Sequence, residues 1–243
     1  HLVAATIPNC KAYDPAYAGE LAVILDAGMR EMVEQQADVF YYVTLMNENY
    51  THPQMPENAE EGILRGMYLR TRVGKKKNTH RVQLLGGGTI LREVEAAAEL
   101  LDKDYDISSD IWSVTSFNEL ARDGQDVERY NRLHPLEEQR KSYVEMCLGN
   151  TEGPVIAATD YMRLYAEQIR AYVPDKSYVL GTDGYGRSDT RQKLRKFFEV
   201  DLYYVATTAL KALADRELIT YEQVAEAVER YEINPDKPKP LTV

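Results

Sequence analysis

Apolar residues recur along the chain in two rhythms. Tyr17, Leu21, Ile24, Leu25, Gly28 and Met32 fall on one face at helical spacing. Asp14 and Pro15 precede them and suit a helix start, an N-cap followed by a proline in the first turn. The run VFYYVTLM (39–46) is β-branched and aromatic, with Thr44 its one polar break, and predicts a strand buried on both faces. NENYTHPQMPENAEEG follows; its prolines and polar residues mark a long loop and a candidate domain boundary. RVQLLGGGT, SDIWSVTSF, GPVIAAT and SYVLGT then read as strands.

Helical segments lie between and after these strands. ILREVEAAAELLDKDY sets Ile90, Val94, Ala97, Ala98 and Leu101 on one face, with Thr89 as its cap. Ser116 and Glu119 match a capping box, and Thr220 with Gln223 matches another. DYMRLYAEQIRAYV aligns Met162, Tyr165, Ile169 and Tyr172 and predicts a helix stopped by Pro174. TRQKLRKFFEV, LYYVATTALKALADRE and YEQVAEAVERY predict three more helices. Strands alternating with helices predict an α/β fold, a mostly parallel sheet with helices on both faces. Right-handed crossovers bring the strand-to-helix loops to one edge, where ligands of such sheets bind. Two of those loops are glycine-rich, at Gly86-Gly87-Gly88 and Gly184-Tyr185-Gly186.

Neither loop carries a self-contained nucleotide motif. Leu91 and Asp189 stand where the third glycine of a dinucleotide fingerprint would be, and no lysine–hydroxyl pair follows either run. Asp102, Asp104 and Asp106 alternate like the start of a calcium loop, but Ile107 and Ser113 occupy its glycine and glutamate positions. Thr190 replaces the last glycine of a serine nucleophile elbow. Histidines 1, 52, 80 and 134 are scattered without metal spacing.

The 243 residues allow one large domain or two small ones, and the net charge of −10 argues against nucleic acid as a partner. Lys75-Lys76-Lys77 reads as a solvated loop. Cys10 and Cys147 form no CxxC pair and fit a reducing cytosol, so the expected location is cytoplasmic. No apolar run reaches membrane-spanning length. Eighteen tyrosines against four phenylalanines point to half-buried rings with wet hydroxyls. The chain opens on His1 rather than methionine, which reads as a fragment or proteolytic product of a longer polypeptide.

Four long strings, 6–29, 41–68, 113–135 and 179–191, carry a family resemblance in the same order. Among them are TIPNCKAYDPAY, TSFNELARDGQD and VLGTDGYGRSDTR. Together they resemble the C-terminal portion of the homodimeric bacterial type of pyruvate dehydrogenase first component, a thiamine-diphosphate enzyme related to transketolase. The resemblance implies that residues 1–56 end an aminopyrimidine-binding middle domain and that 57–243 form a transketolase-like C-terminal domain. It implies pyruvate decarboxylation and reductive acetylation of a lipoyl group in the parent enzyme. Thiamine diphosphate and Mg²⁺ would be held upstream, and this chain alone would be inactive. Implied partners are the missing N-terminal and middle domains, a second copy of the polypeptide and the lipoyl-bearing acyltransferase component. His1 matches a family cluster of active-site histidines and is the candidate catalytic residue; an imidazole there could serve proton transfer. Asp183, Tyr185, Arg187 and Asp189 form a candidate interface loop, with Gly184 and Gly186 permitting its bend and Ser188 or Asp189 capping the next helix. The alternative is an independent α/β protein binding an anion or other ligand at GGGT or GTDGYG.

Overall fold

Two sheets organise the chain. The computed structural model describes residues 1–75 and 78–242, so Lys76 and Lys77 of the basic run lie outside the described residues. The first sheet belongs to a small N-terminal unit. It contains α1 (Leu2–Ala5), β1 (Cys10–Tyr13), α2 (Ala18–Met29) with a π-helical extension Arg30–Glu34, and β2 (Phe40–Val43). β1 and β2 pair in parallel, Cys10 beside Phe40 and Tyr13 beside Val43.

Two expectations change here. Asp14 and Pro15 do not start α2; the helix begins at Ala18, after Tyr17. Glu20 supplies the reason, because its Oε2 accepts from the backbone N–H of Ala16 at 2.6 Å and of Tyr17 at 3.0 Å and so caps the helix from within. β2 is shorter than the run that predicts it and is not buried on both faces; Phe40 and Tyr42 are each 43% exposed. It pairs with β1 alone, so no second strand shields its outer side.

After the long loop come α3 (Glu60–Arg65), β3 (Met67–Val73), β4 (His80–Gly87), α4 (Leu91–Tyr105), β5 (Ile107–Val114) and α5 (Phe117–Leu133). Then follow α6 (Tyr143–Leu148), β6 (Val155–Ala158), α7 (Arg163–Glu167), β7 (Ser177–Leu180), α8 (Arg191–Phe197), α9 (Leu202–Ala214) and α10 (Tyr221–Arg230). The five-stranded sheet has the order β3-β5-β4-β6-β7, with β3 antiparallel to β5 and the other pairs parallel. The pattern reading omits β3, α3 and α6. It also predicts one helix over 160–173, where the chain forms α7 and then a 3₁₀ turn at Arg170–Tyr172. There the Asp183 carboxylate accepts from the Arg163 N–H at 2.9 Å, so the helix starts late.

The central parallel strands are largely buried on both faces, and successive residues feed opposite cores. Leu84, Ile111 and Ile156 pack with Val94, Ala98, Ala209 and Leu213 of α4 and α9. Their neighbours Leu85, Trp112 and Ala157 pack with Phe117, Leu120, Val144 and Tyr165. Each fully buried aliphatic side chain contributes about 1.5–3 kcal/mol. One buried polar chain is paired within the sheet: Trp112 Nε1 donates to Gln83 Oε1 at 2.9 Å, and Gln83 Nε2 donates to the Glu152 carbonyl at 2.9 Å.

The two sheets are joined through Glu20, which is 1% exposed. Its Oε1 accepts from Tyr68 of β3 at 2.8 Å and from Ser113 of β5 at 2.5 Å. With the two backbone donors at the start of α2, one carboxylate therefore satisfies four hydrogen-bond donors from both units.

Candidate functional site

The parallel strands end on one edge, and the N-terminal unit sits across it. Asp14, just past β1, donates its N–H to the Thr115 carbonyl after β5 at 2.7 Å and accepts at its own carbonyl from Gly88 after β4 at 3.2 Å. The Ser116 hydroxyl donates to the Ala12 carbonyl at 2.6 Å while accepting from the Glu119 N–H at 3.0 Å, so the predicted cap of α5 also bonds β1. Arg122 reaches from α5 to the carbonyls of Cys10 and Ile7 at 2.7 and 2.9 Å. Gly88 has φ +51°, and a Cβ there would lie 2.4 Å from Asp14 Oδ2, so close approach requires glycine. Thr89 belongs to a 3₁₀ turn and does not cap α4; its hydroxyl accepts from Arg195 at 3.4 Å.

His1 lies in the crevice between the units. Its carbonyl accepts from Asn118 Nδ2 at 3.0 Å and from the Ala5 N–H at 2.8 Å. Its ring stacks on Tyr165 at 4.7 Å between centroids and meets the edges of Tyr161 at 4.8 Å and Tyr42 at 5.3 Å. His1 Nε2 is 2.9 Å from the Thr44 hydroxyl, which in turn lies 2.7 Å from Asp14 Oδ1. His1 Nδ1 and Asp14 Oδ2 are buried and have no hydrogen-bond partner among the described residues. On one side the ring borders a mainly apolar cleft of about 300 Å³ lined also by Val3, Ile7, Phe40 and Tyr42.

Burial pushes the Asp14 carboxyl up to about 7; Asp160 and Glu20 act in the same direction and the Thr44 hydroxyl opposes them. Asp160, at the end of β6, is also raised by burial, with Arg195 and Arg191 opposing. Burial raises both Tyr161 and Tyr165, so their phenols stay protonated around the imidazole. The crevice is thus a low-dielectric place holding one imidazole and carboxyls whose pKa values burial raises, the setting in which proton transfer is tuned.

The candidate interface loop starts beside the crevice wall, where the Thr182 N–H donates to the Tyr161 carbonyl at 2.8 Å. The Asp183 carboxylate is used by the Arg163 N–H. The Arg187 guanidinium lies over the Phe197 ring at 4.6 Å, and Asp189 accepts from the Thr190 N–H and pairs with Lys193 at 3.6 Å. Tyr185 projects outward, 86% exposed. Thr190, rather than Ser188 or Asp189, caps α8, because its hydroxyl is placed to accept from the Lys193 N–H. Gly184 needs its φ of +101°, with the Pro240 carbonyl 2.7 Å from a built Cβ, whereas Gly186 faces open space.

The GGGT anion site of the alternative reading finds no support in this geometry. Beside Gly88 the space is taken by the Asp14 carboxyl. A cleft of about 780 Å³ near α8 contains Arg191, Arg195 and Arg230, but all three are engaged by carboxylates. The pattern reading also missed Asp14, Thr44 and Tyr161. The only local signal was Thr44, the polar break in an apolar run.

Two family models match the chain. The pyruvate dehydrogenase E1 component middle domain matches residues 1–53, and the transketolase-like TK C-terminal domain matches residues 66–201. The pyruvate dehydrogenase E1 component of Pseudomonas aeruginosa is 63% identical over 242 residues, 99% of this chain and 27% of that protein. The E1 component of Escherichia coli K12 is 54% identical over 243 residues, again 99% and 27%. The chain therefore spans about 27% of the length of these curated relatives. Transketolase from Campylobacter jejuni superposes with a TM-score of 0.59 at 16% identity, covering 86% of this chain and 27% of that one. Transketolase from Leishmania mexicana does so with a TM-score of 0.58 at 18% identity, covering 88% and 27%. These structures establish the shared fold.

The raised Asp14 pKa has a consequence for stability. Its folded value lies above its ordinary 3.8, so the folded state holds the proton more tightly between about 4 and about 7. The stabilisation is full below that window and is lost as pH rises through it. Urea titrations of Asp14→Asn and the wild type at pH 5 and pH 8 should show the variant gaining relative stability at the higher pH. A relative loss at pH 8 contradicts the assignment.

Proposed function

The chain belongs to the transketolase-like C-terminal domain family, and from that premise we propose that it is the C-terminal part of a pyruvate dehydrogenase E1 component. The observation that carries the proposal is the 63% identity to such a component over 99% of the chain. In this reading residues 1–56 close the middle domain and 57–243 form the C-terminal domain; the family matches at 1–53 and 66–201 support that division.

The parent enzyme releases the carboxylate of pyruvate as carbon dioxide and passes the remaining two carbons to a lipoyl disulfide, which is reduced as it is acetylated. Bound thiamine diphosphate supplies the carbanion stabilisation that this decarboxylation needs. Among the described residues no three His, Cys, Asp or Glu side chains converge on a possible metal position. The family reading assigns the donor set for Mg²⁺ and the diphosphate to other parts of the polypeptide. What this chain contributes is His1, whose half-buried, aromatic-walled imidazole can hold or pass a proton.

The remaining assignment is to interfaces. The loop bearing Asp183, Tyr185, Arg187 and Asp189 would meet another domain, a second copy of the polypeptide or the lipoyl-bearing acyltransferase component. Tyr185 is its anchor, since the other three are held within the chain. The parent enzyme is assigned to the cytoplasm; no helix among the described residues is long and apolar enough to cross a membrane.

Full-length polypeptide supplied with pyruvate, thiamine diphosphate and Mg²⁺ should release carbon dioxide, whereas the 243-residue chain alone should release none above blank. Absence of release by the full-length protein sinks the assignment. Tyr185→Ala in the full-length protein should weaken assembly about tenfold or more in sedimentation while leaving cofactor affinity within about twofold. The reverse ranking would move the loop into the catalytic centre.

A further inference from the structure

We propose that Thr44 is a positioning residue: oriented by Asp14, it holds the His1 imidazole as the Nε2–H tautomer and leaves Nδ1 as the proton-accepting atom. The proposal rests on the reading that His1 belongs to the decarboxylating centre. It follows from counting protons along one chain of contacts. A threonine hydroxyl has a single hydrogen to donate, and an ionised carboxylate only accepts. Thr44 Oγ1 is 2.7 Å from Asp14 Oδ1, against 3.4 Å from the Tyr13 carbonyl, and the protonated Tyr161 phenol that also meets this hydroxyl can itself donate to it, so the Thr44 hydrogen goes to the Asp14 carboxylate. Its oxygen, 2.9 Å from His1 Nε2, is then left to accept, and Nε2 must carry the hydrogen.

The other ring nitrogen, Nδ1, is buried and has no partner among the described residues. The ring cannot easily turn to exchange the two nitrogens, because Tyr165 covers one face while Tyr161 and Tyr42 abut it. The His1 carbonyl is fixed at the same time by Asn118 and Ala5. Thr44 is itself anchored, since its N–H donates to the Tyr13 carbonyl at 3.0 Å. The charged and titratable groups facing this chain are Asp14, Glu20, Asp160, the α-amino group of His1 and the phenols of Tyr42, Tyr161 and Tyr165. At pH 8, above its value of about 7, the Asp14 carboxyl is mostly ionised and accepts from Thr44.

The test uses the ¹⁵N-labelled 243-residue chain at pH 8, where an ordinary imidazole is neutral and long-range ¹H–¹⁵N correlation distinguishes tautomers. The His1 ring should carry its hydrogen on Nε2, Thr44→Val should give a mixture, and Thr44→Ser should restore the single form. An Nδ1–H ring or a mixture in the wild type overturns the proposal, whether or not the valine variant folds. So does an unchanged tautomer in a folded Thr44→Val chain. In the full-length enzyme, Thr44→Val should lower kcat for pyruvate about tenfold or more with little change in KM, and Thr44→Ser should recover it. Valine activity within about twofold of wild type counts against the positioning role. If the full-length enzyme does not turn over pyruvate at all while His1 keeps its Nε2 hydrogen, the proposed function fails and the tautomer assignment stands.

Discussion

The buried carboxylate of Glu20 is the interaction on which the arrangement of the two units depends. A charge with almost no exposure is tolerable only if its oxygens are well supplied with donors. Glu20 has four, from the Ala16 and Tyr17 backbone, Tyr68 and Ser113. The same group therefore caps α2 and fastens it to two strands of the larger sheet. Loss of its acceptors would strand buried donors at about 1–3 kcal/mol each. A second polar seam forms where Arg195 of α8 reaches Glu93 of α4 at 2.9 Å and Glu48 of the long loop at 3.3 Å.

With the N-terminal unit fastened there, the geometry of the crevice follows. β1 delivers Asp14 onto the ends of β4 and β5, and β2 delivers Thr44 beside it. The loop after β6 and the helix α7 bring Tyr161 and Tyr165 against His1. The imidazole is therefore held by residues from two segments remote from it in sequence, 42–44 and 161–165. Its hydrogen-bond chain ends at a carboxyl made reluctant to ionise by burial.

The parts of this picture that were legible in the sequence are those governed by local chemistry. The α/β alternation predicted the parallel sheet covered on both faces. Ser116 and Thr220 cap α5 and α10 as their motifs indicate, because a cap needs only its own next turn. Asp14 illustrates the opposite case. Its local pattern is that of an N-cap, yet its partners are Thr115, Gly88 and Thr44, which only the fold brings near. Thr44 looked like a defect in a buried strand because its acceptor lies on another strand. β3 was missed since charged Arg70 and Arg72 interrupt its apolar pattern; as an antiparallel edge strand it can place them against Glu95 and Asp110. The helix after β6 fell short of its periodic run because Asp183, from a later strand end, takes the Arg163 N–H.

The central claim is that the N-terminal unit and the five-stranded sheet form one cooperative structure, so that the His1 crevice is a property of this chain itself. Native-state hydrogen exchange at the Asp14 and Gly88 amides, which cross between the units, tests this most directly. The account predicts that both amides are protected to the same degree as the Leu84 amide in the central strand, opening only with global unfolding. Exchange of the crossing amides roughly 100-fold or more faster than Leu84 would contradict it, since the unit would then open by itself.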